Sequence, residues 1–126
     1  MLFRSVFEAE LDPQPAPAPG APGPMAFEDP DRLVSLLSSA GWSAVTADAL
    51  DTRCDYGFDG GDGVEERLAT ILATSSGRLA VETLKPTLSS EEWAAMLDDV
   101  RAELRGHLVD GAVRFPAATW LVTATN

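Results

Sequence analysis

The stretch AATWLVTA, residues 117–124, decides how the fold of this chain is interpreted. Every second residue is apolar, which is the period of a β-strand, and the apolar series is Ala118, Trp120, Val122 and Ala124. Leu121 makes the opposite face partly apolar as well. A strand that is apolar on both faces is typically interior to a sheet covered on both sides. The stretch therefore predicts a strand at 117–124 that needs more sheet around it.

A helix and a first strand are predicted well before this stretch. Asp29 is a good N-cap, Pro30 suits the first helical position and Gly41 ends the pattern. Between them one apolar stripe recurs at helical spacing, namely Leu33, Leu36, Leu37 and Ala40. These signals predict a helix at 30–40. The alternating sequence that follows, WSAVTADAL, predicts a strand at 43–50.

The segment between the two strands is predicted to be helical over 64–108. Apolar residues at helical spacing indicate a helix from Val64 to about residue 75, and Ser76-Gly77 interrupts the pattern. A short helix follows at 79–84. Ser89 and Glu92 form a capping box for a last helix at 90–108. The three tryptophans, Trp42, Trp93 and Trp120, fall on faces predicted to be buried.

The N-terminal part is predicted to be a short helix at 1–11 followed by a linker at 12–28. Six of the nine prolines lie within residues 12–24, and proline fixes φ and removes a backbone donor. A proline-rich ligand for an SH3-like partner is the alternative interpretation. The two predicted strands are too few for a stable sheet, so we expect the chain to be incomplete.

Composition and charge exclude several classes of function. The 126 residues suit one domain, and 20 acidic against 9 basic residues give a net charge of −11. Such a chain is repelled by nucleic acids and by anionic membranes, so neither is expected as a partner. No apolar run approaches the ~20 residues of a membrane span. No secretory signal pattern begins the chain, so we expect a soluble cytoplasmic protein.

Few residues qualify for catalysis or metal binding. The single cysteine, Cys54, and the single histidine, His107, are too few for a zinc site. The loop DYGFDGGDGVEE, residues 55–66, partly fits a calcium loop, but Gly57 stands where an oxygen ligand is needed. A turn is the alternative, and no metal site is expected. The chain contains no nucleotide-binding glycine motif, and we name no catalytic base.

Three segments resemble class I S-adenosylmethionine-dependent methyltransferases, the broad family that includes the enzymes of ubiquinone and menaquinone biosynthesis. The segments are GAPGPMAFEDPDRLVSLLSSAGW (20–42), DYGFDGGDGVEERLATIL (55–72) and DGAVRFPAATWLVTATN (110–126). The matching positions of the first are Gly23, Pro24, Met25, Ala26, Phe27, Asp29, Pro30, Arg32, Ala40, Gly41 and Trp42. The resemblance covers about residues 20–126.

The resemblance implies a place in a known fold. The family has a doubly wound, Rossmann-like α/β sheet of seven strands, with the antiparallel seventh strand between the fifth and sixth. Residues 43–50 and 117–124 would be the sixth and seventh strands, and 64–108 a helical insertion. The first half of the fold would be absent, so this chain would be two antiparallel strands with about four helices.

The resemblance also implies a division of function. The family's S-adenosylmethionine site lies on elements that this chain lacks, so no cofactor-binding residue is assigned here. What remains is the side of the small-molecule methyl acceptor, because ligands bind beyond the carboxyl ends of such strands. The expected acceptor pocket is lined by Phe27, Phe58, Val64, Leu68 and Ile71.

The activity would belong to the parent enzyme, and the isolated chain is expected to be inactive. It is also expected to self-associate through the exposed sheet edge. A stand-alone acidic helical interaction module without catalysis is the alternative.

Overall fold

The computed structural model describes residues 6–7, 9–13, 15–23 and 25–126. Its described part is mixed α/β, with four α-helices and one three-stranded antiparallel sheet. The elements are α1 (Pro30–Ser39), β1 (Ser43–Asp55), α2 (Val64–Ala73), α3 (Ser75–Thr83), a 3-10 turn (Lys85–Thr87), α4 (Ser90–Arg105), β2 (Leu108–Val109) and β3 (Ala112–Thr125). The α/β class predicted from the sequence is confirmed. A methyltransferase sheet is a more specific prediction, which the α/β class alone does not establish.

Two compact units divide the chain. The helical unit comprises the described part of Met1–Gln14 together with Arg53–Phe115. The strand unit comprises the described part of Pro15–Thr52 together with Pro116–Asn126. Strands β1 and β3 contribute residues to both units.

Helix α1 begins and ends where its capping residues dictate. The Asp29 carboxylate accepts a hydrogen bond from the Asp31 amide at 3.0 Å, and Pro30 occupies the first turn. Gly41 follows the helix with a φ of 96°, a left-handed conformation that suits glycine. The helix thus ends one residue before the predicted limit at Ala40, and none of its residues is buried.

Strands β1 and β3 are longer than predicted because they pair with each other. The Thr46 and Thr123 hydroxyls are 2.7 Å apart, the Thr119 hydroxyl donates to Leu50 O, and the Tyr56 amide donates to Val113 O. In each of these pairs the two residue numbers have the same sum, so the antiparallel register is the same along the whole length of the β1–β3 pairing. The ladder therefore extends β1 beyond residue 50 and begins β3 before residue 117.

Strand β2 is a third strand, which the prediction of two strands did not include. It begins at Leu108, where the last helix was predicted to end, whereas α4 ends at Arg105, so the predicted limit of 108 is wrong. Leu108 and Val109 pair with Val113 and Ala112 instead of continuing the helix. The two-residue connection, Asp110-Gly111, has φ values of 50° and 79°, as a type I′ hairpin requires. Order β1-β3-β2 makes β3 central at this end of the sheet.

The core lies in the helical unit. All the buried apolar side chains of the described residues belong to it, namely Phe7, Val64, Leu68, Ile71, Ala80, Val100, Leu104, Ala112 and Val113. Helix α3 begins at Ser75, four residues before the predicted start, because Thr74 caps it by accepting from the Gly77 amide. Gly77 is buried inside that helix. The sequence interpretation of Ser76-Gly77 as a break was wrong.

The strand unit has no buried residue in its described part. Trp42 and Trp120, predicted to be buried, are 42% and 37% exposed, so that prediction is wrong for these residues in this chain. Trp93, in the helical unit, is half-buried against the core. The apolar side chains of the strand unit are therefore not covered by other parts of the described chain, although their pattern predicts burial.

The N-terminal predictions are only partly described. Met1–Ser5 and Glu8 lie outside the described residues, Val6 and Phe7 are helical, and residues 9–11 form a turn and bend. Of the predicted linker, residues 12–13, 15–23 and 25–28 contain turns and bends and neither helix nor strand. Among the described residues, none of the helices has the length and apolarity needed to cross a membrane.

Candidate functional site

The loop between β1 and α2 is built from three successive aspartate turns. In each turn a carboxylate accepts from the amide two residues later. The three bonds are Asp55 to Gly57 at 2.9 Å, Asp59 to Gly61 at 2.9 Å and Asp62 to Val64 at 3.0 Å. The acidic side chains thus stabilise the loop and the start of α2, and the Asp-x-Gly spacing of the first two turns is visible in the sequence.

This loop is held against β3 by backbone and side-chain bonds. The Val113 amide donates to Asp62 O at 2.7 Å, and Arg114 Nε donates to Asp55 Oδ2 at 2.8 Å. Gly63 has a φ of 75°, and a Cβ there would lie 2.5 Å from the carbonyl carbon of Tyr56. Glycine is therefore required where the loop enters α2.

The arrangement does not favour a calcium site. The described residues contain no group of three or more His, Cys, Asp or Glu side chains placed to hold a metal ion. The loop carboxylates of Asp55, Asp59 and Asp62 accept from backbone amides instead. Gly57 stands at a position where a calcium loop needs an oxygen ligand, and its backbone lies close to the Ala112 side chain.

A cation–aromatic cluster lies at the base of the loop, and the sequence interpretation missed it. The Arg67 guanidinium carbon lies 5.2 Å from the centre of the Tyr56 ring and 5.3 Å from that of Phe115. Arg67 also donates to the Tyr56 hydroxyl at 2.7 Å, and the His107 ring lies 5.4 Å from Phe115. Arg67 is three residues after the buried Val64, and residues three apart lie on the same face of a helix. This spacing could have predicted from the sequence that Arg67 faces inward.

The five residues predicted to line an acceptor pocket are in two different settings. Val64, Leu68 and Ile71 lie together in the buried core of the helical unit. Phe58 is 81% exposed on the loop, and Phe27 belongs to the strand unit and is 53% exposed. The structure brings the first three together and leaves both phenylalanines on the surface, so a pocket formed by all five stays a prediction.

The loop between β1 and α2 does not offer three of its amides to an S-adenosylmethionine molecule. The glycine-rich loop that leads from β1 into α2 has its amides at Gly57, Gly61 and Val64 bonded to the loop's own carboxylates. Those amides are not free for a ligand's ribose or carboxylate. No methyl-transfer step is therefore assigned to this loop.

Among the other polar groups, Arg101 has a structural role. Arg101 bridges α2 and α4, with Nε 2.6 Å from Glu65 and Nη1 2.8 Å from Asp98. The Arg101 guanidinium lowers the pKa of the Glu65 carboxyl, chiefly through this hydrogen bond. Cys54 is exposed on β1, and the His107 amide donates to Leu104 O just after α4.

Comparisons of the chain with protein-family models, with curated protein sequences and with solved structures gave no match. The methyltransferase resemblance accordingly rests on the residues of this chain.

Replacing Arg114 by glutamine is expected to raise the pKa of the Asp55 carboxyl towards its ordinary value. The Arg114 hydrogen bond is the largest cause that lowers this pKa, and the Gly57 amide is the next. A carboxyl with a lowered pKa in the folded state stabilises the fold at neutral pH, and this contribution is lost as the pH falls through the folded-state pKa. Carboxyl-carbon NMR titration measures the shift.

Glu92 provides the internal control for that titration. Its pKa is also lowered, but by the Ser89 amide and hydroxyl of the capping box, and should not change in the Arg114→Gln variant. An unchanged Asp55 titration would show that the Arg114 bond does not hold the carboxylate in solution.

Proposed function

We propose that the chain is the C-terminal part of a cytoplasmic class I S-adenosylmethionine-dependent methyltransferase that acts on a small acceptor. It supplies the edge of the sheet and the acceptor side, while the cofactor site lies on other elements. The observation that carries the proposal is the absence of any buried residue in the described strand unit. Such an apolar strand pair is typical of a sheet whose remaining layers are missing.

The two faces of the strand pair differ in exposure. One face carries the half-buried residues Val45, Ala47, Val122 and Ala124. The opposite face is exposed and mostly polar, with Leu50 and Leu121 among Thr46, Asp48, Thr119 and Thr123. In the proposed parent enzyme a helix of the doubly wound fold would cover Leu121 on this face.

The edge of β3 supports the same conclusion. Among the described strands, β2 pairs with β3 only at Ala112 and Val113, and β1 lies on the other side. Pro116 interrupts the donors of this edge, but from Ala117 to Thr125 the strand carries no charged side chain and no further proline. Isolated edges are normally protected by charge, proline, bulges or short length. This stretch of β3 is suited to pair with another strand of a larger sheet.

The alternative of a stand-alone acidic interaction module is less favoured. It explains the net charge of −11 equally well. It does not explain why Trp42, Trp120 and Leu121 are exposed on a chain that has its own helical core elsewhere. If the rest of a sheet covered these residues, their burial would stabilise the protein by about 25 cal/mol for each Å² of apolar surface removed from water.

The role of this part in methyl transfer would be to position the acceptor and exclude water. Such transfer is an in-line displacement, in which orientation of the two reactants accounts for much of the rate. The loop from Asp55 to Gly63 follows the carboxyl end of β1, where ligands of open α/β sheets bind. Its three aspartate turns make it a defined surface on which an acceptor could be oriented.

The test is to sequence the genomic DNA upstream of the Met1 codon and to express the whole open frame. We expect the frame to continue through a strand and a glycine-rich turn. The product should transfer labelled methyl from S-adenosylmethionine to a small acceptor, whereas residues 1–126 alone should not bind that cofactor in calorimetry. A stop codon and ribosome-binding site just upstream, with no transfer, would reject the proposal in favour of the interaction module.

Self-association of the isolated chain is expected through the same edge. The Tyr56 amide donates to Val113 O, so the backbone polar groups of Val113 face β1. Successive residues of a strand direct these groups to alternate sides, so the amides of Trp120 and Val122 point away from β1. Sedimentation velocity should show association that rises with concentration, and Val122→Pro should weaken it because proline removes an edge donor. A concentration-independent monomer would contradict this expectation.

A further inference from the structure

The chain contains three Asp-Gly dipeptides, which share one kind of chemical reactivity. They are Asp59-Gly60, Asp62-Gly63 and Asp110-Gly111. The first two lie in the loop before α2, and the third connects β2 to β3. In such a dipeptide the glycine amide nitrogen can attack the aspartate Cγ, because no side chain on the glycine hinders the approach. The structure restrains the three dipeptides to different degrees.

The first dipeptide is held by two hydrogen bonds. Asp59 Oδ1 accepts from the Gly61 amide at 2.9 Å. The Gly60 amide, which would have to attack Cγ, donates to Gly57 O at 3.0 Å. Both the carboxylate and the attacking amide must therefore give up a hydrogen bond before they can react.

The second dipeptide is held by its neighbours in α2 and β3. Asp62 Oδ1 accepts from the Val64 amide at 3.0 Å, and Asp62 O accepts from the Val113 amide at 2.7 Å. Gly63 is buried, and a Cβ at that position would lie 2.5 Å from the carbonyl carbon of Tyr56. This crowding leaves little space for the ring that the reaction forms.

The third dipeptide is the least restrained. The Asp110 side chain is 86% exposed, and its Oδ2 lies 3.8 Å from Arg114 Nη1, which is too far for a hydrogen bond. Asp110 has a φ of 50°, a left-handed conformation that is less favourable for aspartate than for glycine. Among the described residues, no atom would lie within 4 Å of a Cβ added at Gly111. The turn therefore has both the space and the backbone strain to rearrange.

We propose that Asp110 is the site at which the folded chain isomerises, through a succinimide that Asp110 forms with the Gly111 amide. The Gly111 nitrogen forms a bond to Cγ of the protonated Asp110 carboxyl, and the amide proton and the carboxyl hydroxyl leave together as water. A second water then opens the ring. Cleavage of the bond to Cγ restores aspartate, whereas cleavage of the bond to the main-chain carbonyl carbon leaves isoaspartate. The exchange of one water for another balances, and nothing is oxidised or reduced.

This isomerisation separates β2 from β3. Isoaspartate adds one methylene to the backbone of the turn, whereas the type I′ hairpin fits two residues of ordinary length. Strand β2 has two residues, Leu108 and Val109, which pair with Val113 and Ala112 across this turn. A pairing this short depends on the turn that closes it, because a two-stranded hairpin is only marginally stable.

The test incubates the full chain at neutral pH in water labelled with ¹⁸O, beside a sample unfolded in urea. Each hydrolysed succinimide places one ¹⁸O at its site, so tandem mass spectrometry after digestion in ordinary water counts the events separately at the three aspartates. In the folded chain we expect at least about tenfold more label at Asp110 than at Asp59 or Asp62, because each loop carboxylate must first release an amide. In urea the three sites should react at similar rates, because the same dipeptide is then unrestrained at each.

The Asp110→Asn variant supplies the modified chain for a second measurement. Asparagine forms the same ring with loss of ammonia, and Asn-Gly suits the same turn, so the variant should fold and then yield isoaspartate at position 110. Hydrogen exchange of the Val109 amide should be faster in that product than in the unaltered chain. The Leu104 amide, inside α4, is the control and should exchange as before.

Three results would overturn the proposal. Label at Asp110 that is equal to or lower than label at the loop aspartates of the folded chain would show that the turn protects its own aspartate. The same preference for Asp110 in urea would show that the local sequence selects the site without the fold. Unchanged exchange of the Val109 amide in the isoaspartate product would show that β2 stays paired. None of these readouts depends on methyl transfer.

Discussion

Replacing Leu104 by alanine is expected to lower the free energy of unfolding of the helical unit by about 2–5 kcal/mol. Leu104 is 0% exposed on α4 and belongs to the core cluster with Val64, Leu68 and Val100. Truncation removes buried methyl groups and leaves a cavity that rigid helices fill only partly. Urea unfolding followed by circular dichroism at helical wavelengths measures the loss.

Leu121→Ala is the matched control, since it makes the same chemical change on β3. Leu121 is 53% exposed, so its replacement should alter the free energy of unfolding by less than about 0.5 kcal/mol. Equal effects of the two substitutions would mean either that Leu104 is not in the core or that Leu121 is covered in solution. Self-association would reveal the second case, because it makes the Leu121 effect depend on protein concentration.

Replacing Gly77 by alanine is expected to destabilise the helical unit by about 1–3 kcal/mol. In an open helix the same change would stabilise by up to about 1 kcal/mol, because alanine is the better helix former. At Gly77, however, the added Cβ would collide with Ile71 O and lie 2.6 Å from Leu72 Cα. These are backbone atoms of α2, so α2 and α3 must separate to admit the methyl group.

Gly61→Ala is the control that distinguishes this collision from a general effect of replacing glycine by alanine. The added Cβ would meet only the Asp59 side chain, at 3.1 Å from Oδ1, and Gly61 does not have a left-handed φ. That side chain can move, so we expect a change of less than about 0.5 kcal/mol. The same urea titration measures both variants. A stabilised Gly77→Ala variant would show that α2 and α3 do not approach this closely.

Local signals predicted the starts of α1 and α4 correctly. Asp29 and Pro30 begin α1, and the Ser89–Glu92 capping box begins α4, because caps are satisfied by residues close in the chain. The missed start of α3 has a local cause as well, since Thr74 caps the helix by accepting from the Gly77 amide. What no local pattern announces is the close approach of α2, which requires glycine at position 77.

The candidate site was harder to predict than the helices. Helical spacing correctly grouped Val64, Leu68 and Ile71 on one face, but it does not say what covers that face. Phe7 covers it, from a position more than fifty residues earlier in the chain. The packing of Arg67 between Tyr56 and Phe115 likewise joins α2, the loop and β3.

The sequence by itself determined the periods of the helices and strands, their caps and the aspartate turns, because each depends on neighbours within a few residues. Only the tertiary structure decided which apolar faces are covered. It buried Phe7 and Leu104 and left Trp120 and Leu121 exposed, although the sequence pattern marks Trp120 for burial as strongly as Leu104. The physical reason is that burial depends on which surfaces meet across the chain, and a hydrophobic period specifies a face without specifying its partner.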